Sequence, residues 1–273
     1  MTTTKFQRLK KAWLSPKRSP IIDVIQFLVL VAVGIGLLGM STERLGYNWQ
    51  WYRVPRYLFR FEDGSFVAGL LLEGLKVTLH ISAVGLILAF GFGLVTALFR
   101  LSNSLVARIL ARGYLELVRN SPLLVLLFLI YFVLGPILGI SRFASAVLAL
   151  SLFEGAYASE IFRAGIVSVH QGQLEAAYSL GLSTFDTYRY VILPQALRMI
   201  LPPLTSQAIS LVKDSALVST VAIYDLTMRG QEVIADTFLT FEIWFVVAAI
   251  YLVITVALSI LVNVMENRLR VLT

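Results

Sequence analysis

The chain has 273 residues, of which 58% are hydrophobic, and it carries a formal net charge of +7 at neutral pH. Its mean hydropathy of +0.82 is too high for a water-soluble domain of this length, so the composition predicts one all-α integral membrane domain. The absence of cysteine excludes disulfides, thiolate metal sites and a cysteine nucleophile, and the presence of only two histidines argues against a histidine metal cluster.

Six apolar stretches approach or exceed the length of about 20 residues that a membrane-spanning helix needs. The first is longer than the apolar core of a cleaved signal peptide and no A-x-A pattern follows it, which predicts an uncleaved span. The segment 104–121 is amphipathic and is interpreted as a candidate start of the third span. The predicted spans lie at about 21–40, 67–99, 122–138, 143–166, 197–222 and 241–264.

The distribution of basic residues predicts the orientation of these spans. Lysine and arginine are concentrated in the N-terminal tail, between the second and third spans, between the fourth and fifth spans, and at the C-terminus. Because cytoplasmic segments carry the excess of positive charge, both termini and the segment 172–198 are predicted to be cytoplasmic. The positive net charge is thus explained by the orientation of the protein in the membrane, and no nucleic-acid partner is expected.

The loop after the first span is predicted to be external and is rich in aromatic residues. Aromatic side chains at this density suit the interface between lipid and water. Anchoring in that interface and contact with an external partner both remain open. The residues are Trp49, Trp51, Tyr52, Tyr57, Phe59 and Phe61.

The polar segment 172–198 is the most informative part of the sequence, because it predicts an ordered loop between two spans. A short helix that begins near Glu175 ends at Gly181, where glycine can adopt a left-handed conformation. Ser183 and Asp186 form a possible capping box for a second helix. Pro194 is predicted to lie in the first turn of the next span. An ordered loop of this kind is expected to dock onto a partner.

The spacing of E-A-A, a following glycine and I-L-P resembles the EAA loop of ABC importer permeases. In that family the loop is a coupling helix that sits in a groove of the ATP-binding subunit. The resemblance assigns this coupling role to Glu175, Ala176, Ala177, Gly181, Ile192, Leu193 and Pro194.

Further motifs resemble polar amino-acid uptake permeases of the histidine, glutamine and glutamate type. This resemblance covers about residues 66–270 and implies a five-helix permease core at 66–273. Residues 1–65 would then add a basic cytoplasmic tail, an extra transmembrane helix and the aromatic periplasmic loop. The motifs are GLKVTL at 74–79, LVRNSPLL at 117–124, GAYASEIFRAGI at 155–166 and LVKDSALVS at 211–219.

Ionisable residues within spans need partners or water, because an isolated charge at the bilayer centre costs at least about 2.5–3.5 kcal/mol. Glu160 and Arg163 share a helical face and are predicted to form an ion pair in the gate region. The other charged and hydroxyl residues form a candidate substrate pathway, in which the carboxyls would meet an ammonium group and the lysine a carboxylate. A structural polar network between the helices is the alternative. The pathway residues are Glu154, Lys213, Asp214, Ser215 and Ser219.

The predicted function is the membrane subunit of an ATP-driven importer of polar amino acids in a bacterial inner membrane. Gly69, Gly74 and Lys76 only loosely resemble a phosphate loop and lack its G-K-[ST] ending. No enzymatic activity and no cofactor is therefore expected in this chain, and ATP and magnesium would bind to partner ATPase subunits. A periplasmic solute-binding protein and a second permease subunit, identical or homologous, are the other expected partners.

Two rival functions are less consistent with the sequence. An ion-coupled secondary amino-acid transporter should show paired repeats and interrupted helices in matching halves, and neither is found. An intramembrane enzyme would need a nucleophile–base or metal set, which the sequence does not supply. The amino acid that is transported and the choice between homodimer and heterodimer are left open.

Overall fold

The computed structural model describes residues 20–44, 46–62 and 64–270. The predicted basic tail at 1–19 lies outside these residues. The described residues fall into two compact units, which are divided between Trp49 and Gln50. Helix α1 (Pro20–Arg44) belongs to the first unit and overlaps the first predicted span.

The second unit begins with short elements that precede its long helices. A 3₁₀ turn (Trp51–Arg53) and helix α2 (Pro55–Leu58) lead into an antiparallel hairpin of β1 (Phe59–Glu62) and β2 (Ser65–Ala68). The long helices and their connections then follow. They are α3 (Leu70–Leu101), α4 (Leu105–Arg119), α5 (Leu123–Phe128), a π-helical turn (Leu129–Leu134), α6 (Gly135–Leu138), α7 (Arg142–Val167), α8 (Gln171–Ser179), α9 (Thr184–Asp186), a second π-helical turn (Thr187–Ile192), α10 (Leu193–Asp214), a 3₁₀ turn (Ser215–Val221), α11 (Leu226–Thr237) and α12 (Thr240–Arg270).

Helices occupy all six predicted span positions, which confirms the all-α membrane fold. Among the described residues, three helical segments are long and apolar enough to cross a membrane by themselves: Leu70–Leu101, Arg142–Val167 and Thr240–Met265. A fourth crossing is possible if Leu105–Arg119 and Leu123–Leu138 are counted together.

The segment interpreted as a candidate start of the third span forms helix α4, but it does not run in line with the helix that follows. Leu105–Arg119 and Leu123–Leu138 differ in direction by 108°. Pro122 stands at the break and has an extended backbone with ψ of 138°. Proline has no amide donor and disfavours a helical conformation in the residue before it, so the helix ends there.

The hairpin at 59–68 was not predicted, because this segment was interpreted only as an aromatic loop. Phe61 pairs with Phe66 across the two strands, and Gly64 in the connection has φ of +76°. The rings of Phe59 and Phe66 stack with centroids 6.1 Å apart. Part of the aromatic segment therefore belongs to the same compact unit as the long helices.

Helices α3 and α7 form the centre of the second unit, and small residues allow their backbones to approach closely. A β-carbon placed on Gly93 would lie 2.8 Å from the β-carbon of Ala158 and 3.1 Å from the carbonyl oxygen of Gly155. Ala89 and Ala158 are fully buried. Close packing of small residues is a common way for membrane helices to associate, since lipid provides little hydrophobic drive for their contact.

Helix α11 is fixed to the beginning of α3, far from the loop 172–198. The side chain of Asp225 accepts a hydrogen bond from the amide of Met228 at 2.9 Å, and Thr78 Oγ1 accepts one from the amide of Leu226 at 3.0 Å. Arg229 pairs with Glu232 at 2.7 Å and with Glu73 at 3.5 Å. Because α3 has 32 residues and is about 48 Å long, these contacts define the end of the bundle opposite the loop.

Candidate functional site

The loop between α7 and α10 contains the predicted short helix, although helix α8 begins at Gln171 and not near Glu175. Helix α8 ends shortly before Gly181, whose φ is +78°. The amide of Leu182 donates to the carbonyl oxygen of Ala177 at 3.1 Å, which satisfies a free carbonyl at the helix end. A side chain at position 181 would strain this left-handed backbone.

Ser183 is the N-cap of the next helix, and Asp186 bonds back to the Ser183 hydroxyl. Ser183 Oγ accepts a hydrogen bond from the amide of Asp186 at 3.1 Å and donates to Asp186 Oδ2 at 2.6 Å. Helix α9, the π-helical turn Thr187–Ile192 and α10 then follow without a gap. Pro194 lies in the first turn of α10, as predicted. The loop is thus joined to the next predicted span by continuous helical structure.

The residues assigned to coupling fall on two different faces of the loop. Ala177 and Ile192 are each only 2% exposed and pack inward, and Ile192 contacts the cluster formed by Ala158, Val169 and Ala196. The others are exposed and face outward: Glu175, Ala176, Gly181, Leu193 and Pro194. The two alanines therefore differ, since Ala177 is buried and Ala176 is exposed at the surface of the loop.

The same loop exposes five large apolar side chains, which the sequence analysis did not assign to any role. These five side chains are called here the loop surface. Exposed apolar groups of this size commonly mark contact with a partner. The loop surface consists of Tyr178, Leu180, Phe185, Tyr188 and Tyr190, which are between 43% and 81% exposed.

The predicted ion pair of Glu160 and Arg163 is present, but it is part of a larger group. Glu160 Oε2 lies 3.2 Å from Nε of Arg163, and Glu160 Oε1 lies 2.6 Å from a guanidinium nitrogen of Arg100 and 3.2 Å from one of Arg119. Arg100 comes from the last turn of α3 and Arg119 from the end of α4. This arginine cluster joins three helices near the loop through one carboxylate.

A second group of polar side chains extends from the interior of the bundle to its surface and is called here the polar cluster. Glu154 is 1% exposed and accepts a hydrogen bond from the side chain of Gln207. The Glu154 carboxyl is also hydrogen-bonded to the carboxyl of Asp214, whereas the ammonium group of Lys213 acts on it only by longer-range attraction. The structure therefore joins Glu154 and Asp214 of the candidate pathway directly and places Lys213 in their neighbourhood. It adds Gln207, which sequence analysis missed.

The two serines of the candidate pathway lie in the 3₁₀ turn after α10. The hydroxyl of Ser215 donates to the carbonyl oxygen of Val212 at 2.7 Å, and that of Ser219 donates to the carbonyl oxygen of Ala216 at 2.8 Å. Within the described part of the chain, neither hydroxyl is hydrogen-bonded to the polar cluster. The serines thus shape the backbone after α10.

Sequence and structure together define a helical membrane protein. At one end of its bundle it carries an ordered loop with exposed apolar side chains, which are common at contacts with a partner protein. The chain belongs to the family of binding-protein-dependent transport system inner membrane components, whose family model matches residues 89–271. Chains of this family are transport subunits of membrane permeases.

Curated relatives match most of the chain. It is 41% identical over 206 residues to the glutamine transport system permease protein GlnP of Escherichia coli strain K12, a match that covers 74% of this chain and 94% of the relative. It is 37% identical over 207 residues to the nopaline transport system permease protein NocM of Agrobacterium fabrum, with 72% and 86% covered.

Solved structures agree with this assignment. A chain in the crystal structure of an amino acid ABC transporter with histidines aligns with a TM-score of 0.68 and 39% identity, covering 73% of this chain and 94% of that chain. A chain of the MetNI methionine ABC transporter aligns with a TM-score of 0.63 at 20% identity, covering 73% and 96%. The second likeness supports the fold alone.

Proposed function

We propose that the chain is the membrane-spanning subunit of an ATP-driven importer of polar amino acids. It would lie in a bacterial inner membrane with both termini in the cytoplasm, beside an identical or homologous second permease subunit. Partner ATPase subunits would bind ATP and magnesium, and a periplasmic binding protein would deliver the substrate. The observation that carries the proposal is the ordered loop with its apolar outer surface, in a chain that is similar to a glutamine permease and to a chain of an amino acid ABC transporter.

The loop has the mechanical properties that a coupling element needs. Ile192 belongs to an apolar cluster with Ala158 of α7, and Leu174 of α8 packs against the same cluster, so force applied to the loop surface would reach the bundle instead of bending a flexible connection. Helix α10 continues from the loop and carries Gln207, Lys213 and Asp214. Its 22 residues extend about 33 Å. Movement of the loop would therefore be transmitted to the polar cluster.

Replacing Ala176 by arginine should disconnect the permease from its ATPase. Ala176 is exposed on α8, so the larger side chain should leave the permease folded but prevent close docking at the loop surface. We expect at least a tenfold loss of ATPase co-purification and of ATP-dependent amino-acid uptake in proteoliposomes, equal to about 1.4 kcal/mol of binding free energy.

Ala235→Arg is the matched control. Ala235 is also an exposed alanine in a helix, but it lies in α11 at the opposite end of the bundle. It should retain ATPase association. Normal ATPase association in Ala176→Arg would contradict the docking role. Uptake that an ion gradient drives without ATP would instead favour a secondary transporter.

We also propose that the polar cluster lies on the substrate pathway. An amino acid carries an ammonium and a carboxylate on one carbon atom, and the cluster presents both complementary charges together with an amide. Lys213 is exposed and Asp214 is partly exposed, so these groups face outward from the packed interior of the chain. Ser215 and Ser219 would act indirectly, by holding the turn that follows Asp214.

Lys213→Met should raise the KM for uptake about tenfold or more, because hydrogen bonds to charged groups contribute about 1.5–3 kcal/mol. Lys76→Met, which removes another exposed lysine from a helix, is the control and should leave the KM unchanged. The measurement is uptake of glutamine and histidine by the reconstituted importer. An unchanged KM in Lys213→Met would exclude direct substrate contact and leave a structural polar network as the better explanation.

A further inference from the structure

Helix α4 has three different faces along its length. Ala111, Leu115 and Val118 are between 3% and 6% exposed and pack against the bundle. Arg108 and Arg112 are exposed on a second face. The third face is apolar and yet exposed, by between 58% and 74% for each residue. It consists of Val106, Ile109, Leu110 and Leu117.

The order of these faces around the helix distinguishes α4 from an ordinary surface helix. With 3.6 residues per turn, Arg108 and Arg112 lie roughly 55° and 95° from the centre of the buried face. The centre of the exposed apolar face lies roughly 140–150° from both the buried face and the arginines. The charged groups and the exposed apolar groups therefore point into different surroundings. Water on the arginine side and hydrocarbon on the apolar side would satisfy both.

The direction of α4 fits such a boundary. The helical segment that follows, Leu123–Leu138, is apolar and differs from α4 in direction by 108°. If that segment runs across the membrane, α4 runs nearly along the membrane surface. The contact between Arg119 and Glu160 places its C-terminal end at the loop end of the bundle.

We propose that α4 lies in the membrane–water interface and binds anionic lipids. Val106, Leu110 and Leu117 would enter the acyl region, and Arg108 and Arg112 would bind headgroup phosphates. Amphipathic helices with a basic polar face bind membranes in this way, and each basic residue close to an anionic surface adds to the attraction. This lipid contact is separate from the coupling and pathway roles proposed above.

The contact would also be connected to the rest of the bundle. The hydroxyl of Tyr114 donates a hydrogen bond to the carbonyl oxygen of Leu152 in α7 at 2.5 Å, and Arg119 belongs to the arginine cluster. Helix α4 is thus held to α7 at two positions. A shift of α4 on lipid binding would therefore also shift α7 through these two contacts.

The depth of α4 can be measured with single labels, because the chain contains no cysteine. Nitroxide labels on Leu110→Cys, Leu117→Cys and Arg112→Cys would be compared in the full chain reconstituted in nanodiscs. Oxygen should relax the labels at 110 and 117 more effectively than a water-soluble nickel chelate, and the order should reverse at 112. If neither reagent reaches the labels at 110 and 117, a protein covers the apolar face of α4. If the nickel chelate reaches these labels better than oxygen does, the apolar face of α4 is exposed to water. Either result overturns the proposal.

The headgroup contact has its own test, native mass spectrometry with phosphatidylglycerol and phosphatidylcholine in competition. The Arg108→Gln/Arg112→Gln variant should lose preference for the anionic lipid by about fivefold for each arginine removed. Arg108→Lys/Arg112→Lys should retain most of the preference, and Arg189→Gln, which removes a charge from the loop, should retain all of it. A glutamine variant with the preference of the unmodified protein would exclude the anionic-lipid site.

Discussion

Replacing Glu160 by glutamine is expected to lower transport at least tenfold and to destabilise the protein by about 2 kcal/mol. Glu160 is the shared acceptor for Arg100, Arg119 and Arg163. Without its charge, three guanidinium groups would lie close together and would repel one another. Because they belong to α3, α4 and α7, the repulsion would separate these helices next to the loop.

A second substitution distinguishes this electrostatic role from a loss of packing. Removing one unmatched positive charge in Glu160→Gln/Arg119→Gln should recover part of the lost stability and transport, because residues in one ion-pair network have coupled effects. Glu160→Asp keeps the charge and should lie between the unmodified protein and Glu160→Gln. Uptake assays and thermal unfolding in detergent provide the readouts. Full transport in Glu160→Gln would show that the arginine cluster has no part in the transport cycle.

Enlarging Gly93 is expected to have the greatest effect on folding. Even in Gly93→Ala the added methyl group would meet Ala158 and the backbone at Gly155 within 2.8–3.1 Å, so α3 and α7 would have to separate. Overpacking of this kind costs about 1–3 kcal/mol. Gly93→Leu should prevent accumulation of the folded protein, as measured by its yield after extraction and its unfolding temperature.

Gly91 provides a matched control two residues away on the same helix. A β-carbon at Gly91 would have no atom within 4 Å in the structure. Gly91→Ala should therefore be neutral or should stabilise the helix by about 0.5–1 kcal/mol through its reduced backbone entropy. Equal effects of alanine at positions 91 and 93 would refute the close-packing account.

The sequence was sufficient for features that depend on neighbouring residues. Gly181 predicts where α8 ends, and Ser183 with Asp186 predicts where α9 begins. Both can be predicted because turns and caps depend on residues only a few positions apart. The pairing of Glu160 with Arg163 follows from helical spacing. The dipeptide Asp63–Gly64 is also a hairpin signal, and it could have revealed the β-hairpin that was interpreted as loop.

The remaining features depend on how distant segments pack. Arg100 is 60 residues from Glu160, and Gln207 is 53 residues from Glu154. Hydrophobic periodicity gives the buried face of a helix but not the identity of the helix that covers it. For the same reason Pro122 predicts a break before the helix that follows, whereas the 108° angle requires the packing of α4 on its neighbours.

The two π-helical turns share a relation to proline. Leu129–Leu134 is followed by Pro136, and Thr187–Ile192 is followed by Pro194. A π turn contains one residue more than an α turn, and its amides reach back five residues rather than four. The amide of Gly135 bonds the carbonyl oxygen of Ile130, and that of Leu193 bonds the carbonyl oxygen of Tyr188. Each helix is therefore already widened one residue before the proline, whose own amide has no hydrogen to donate.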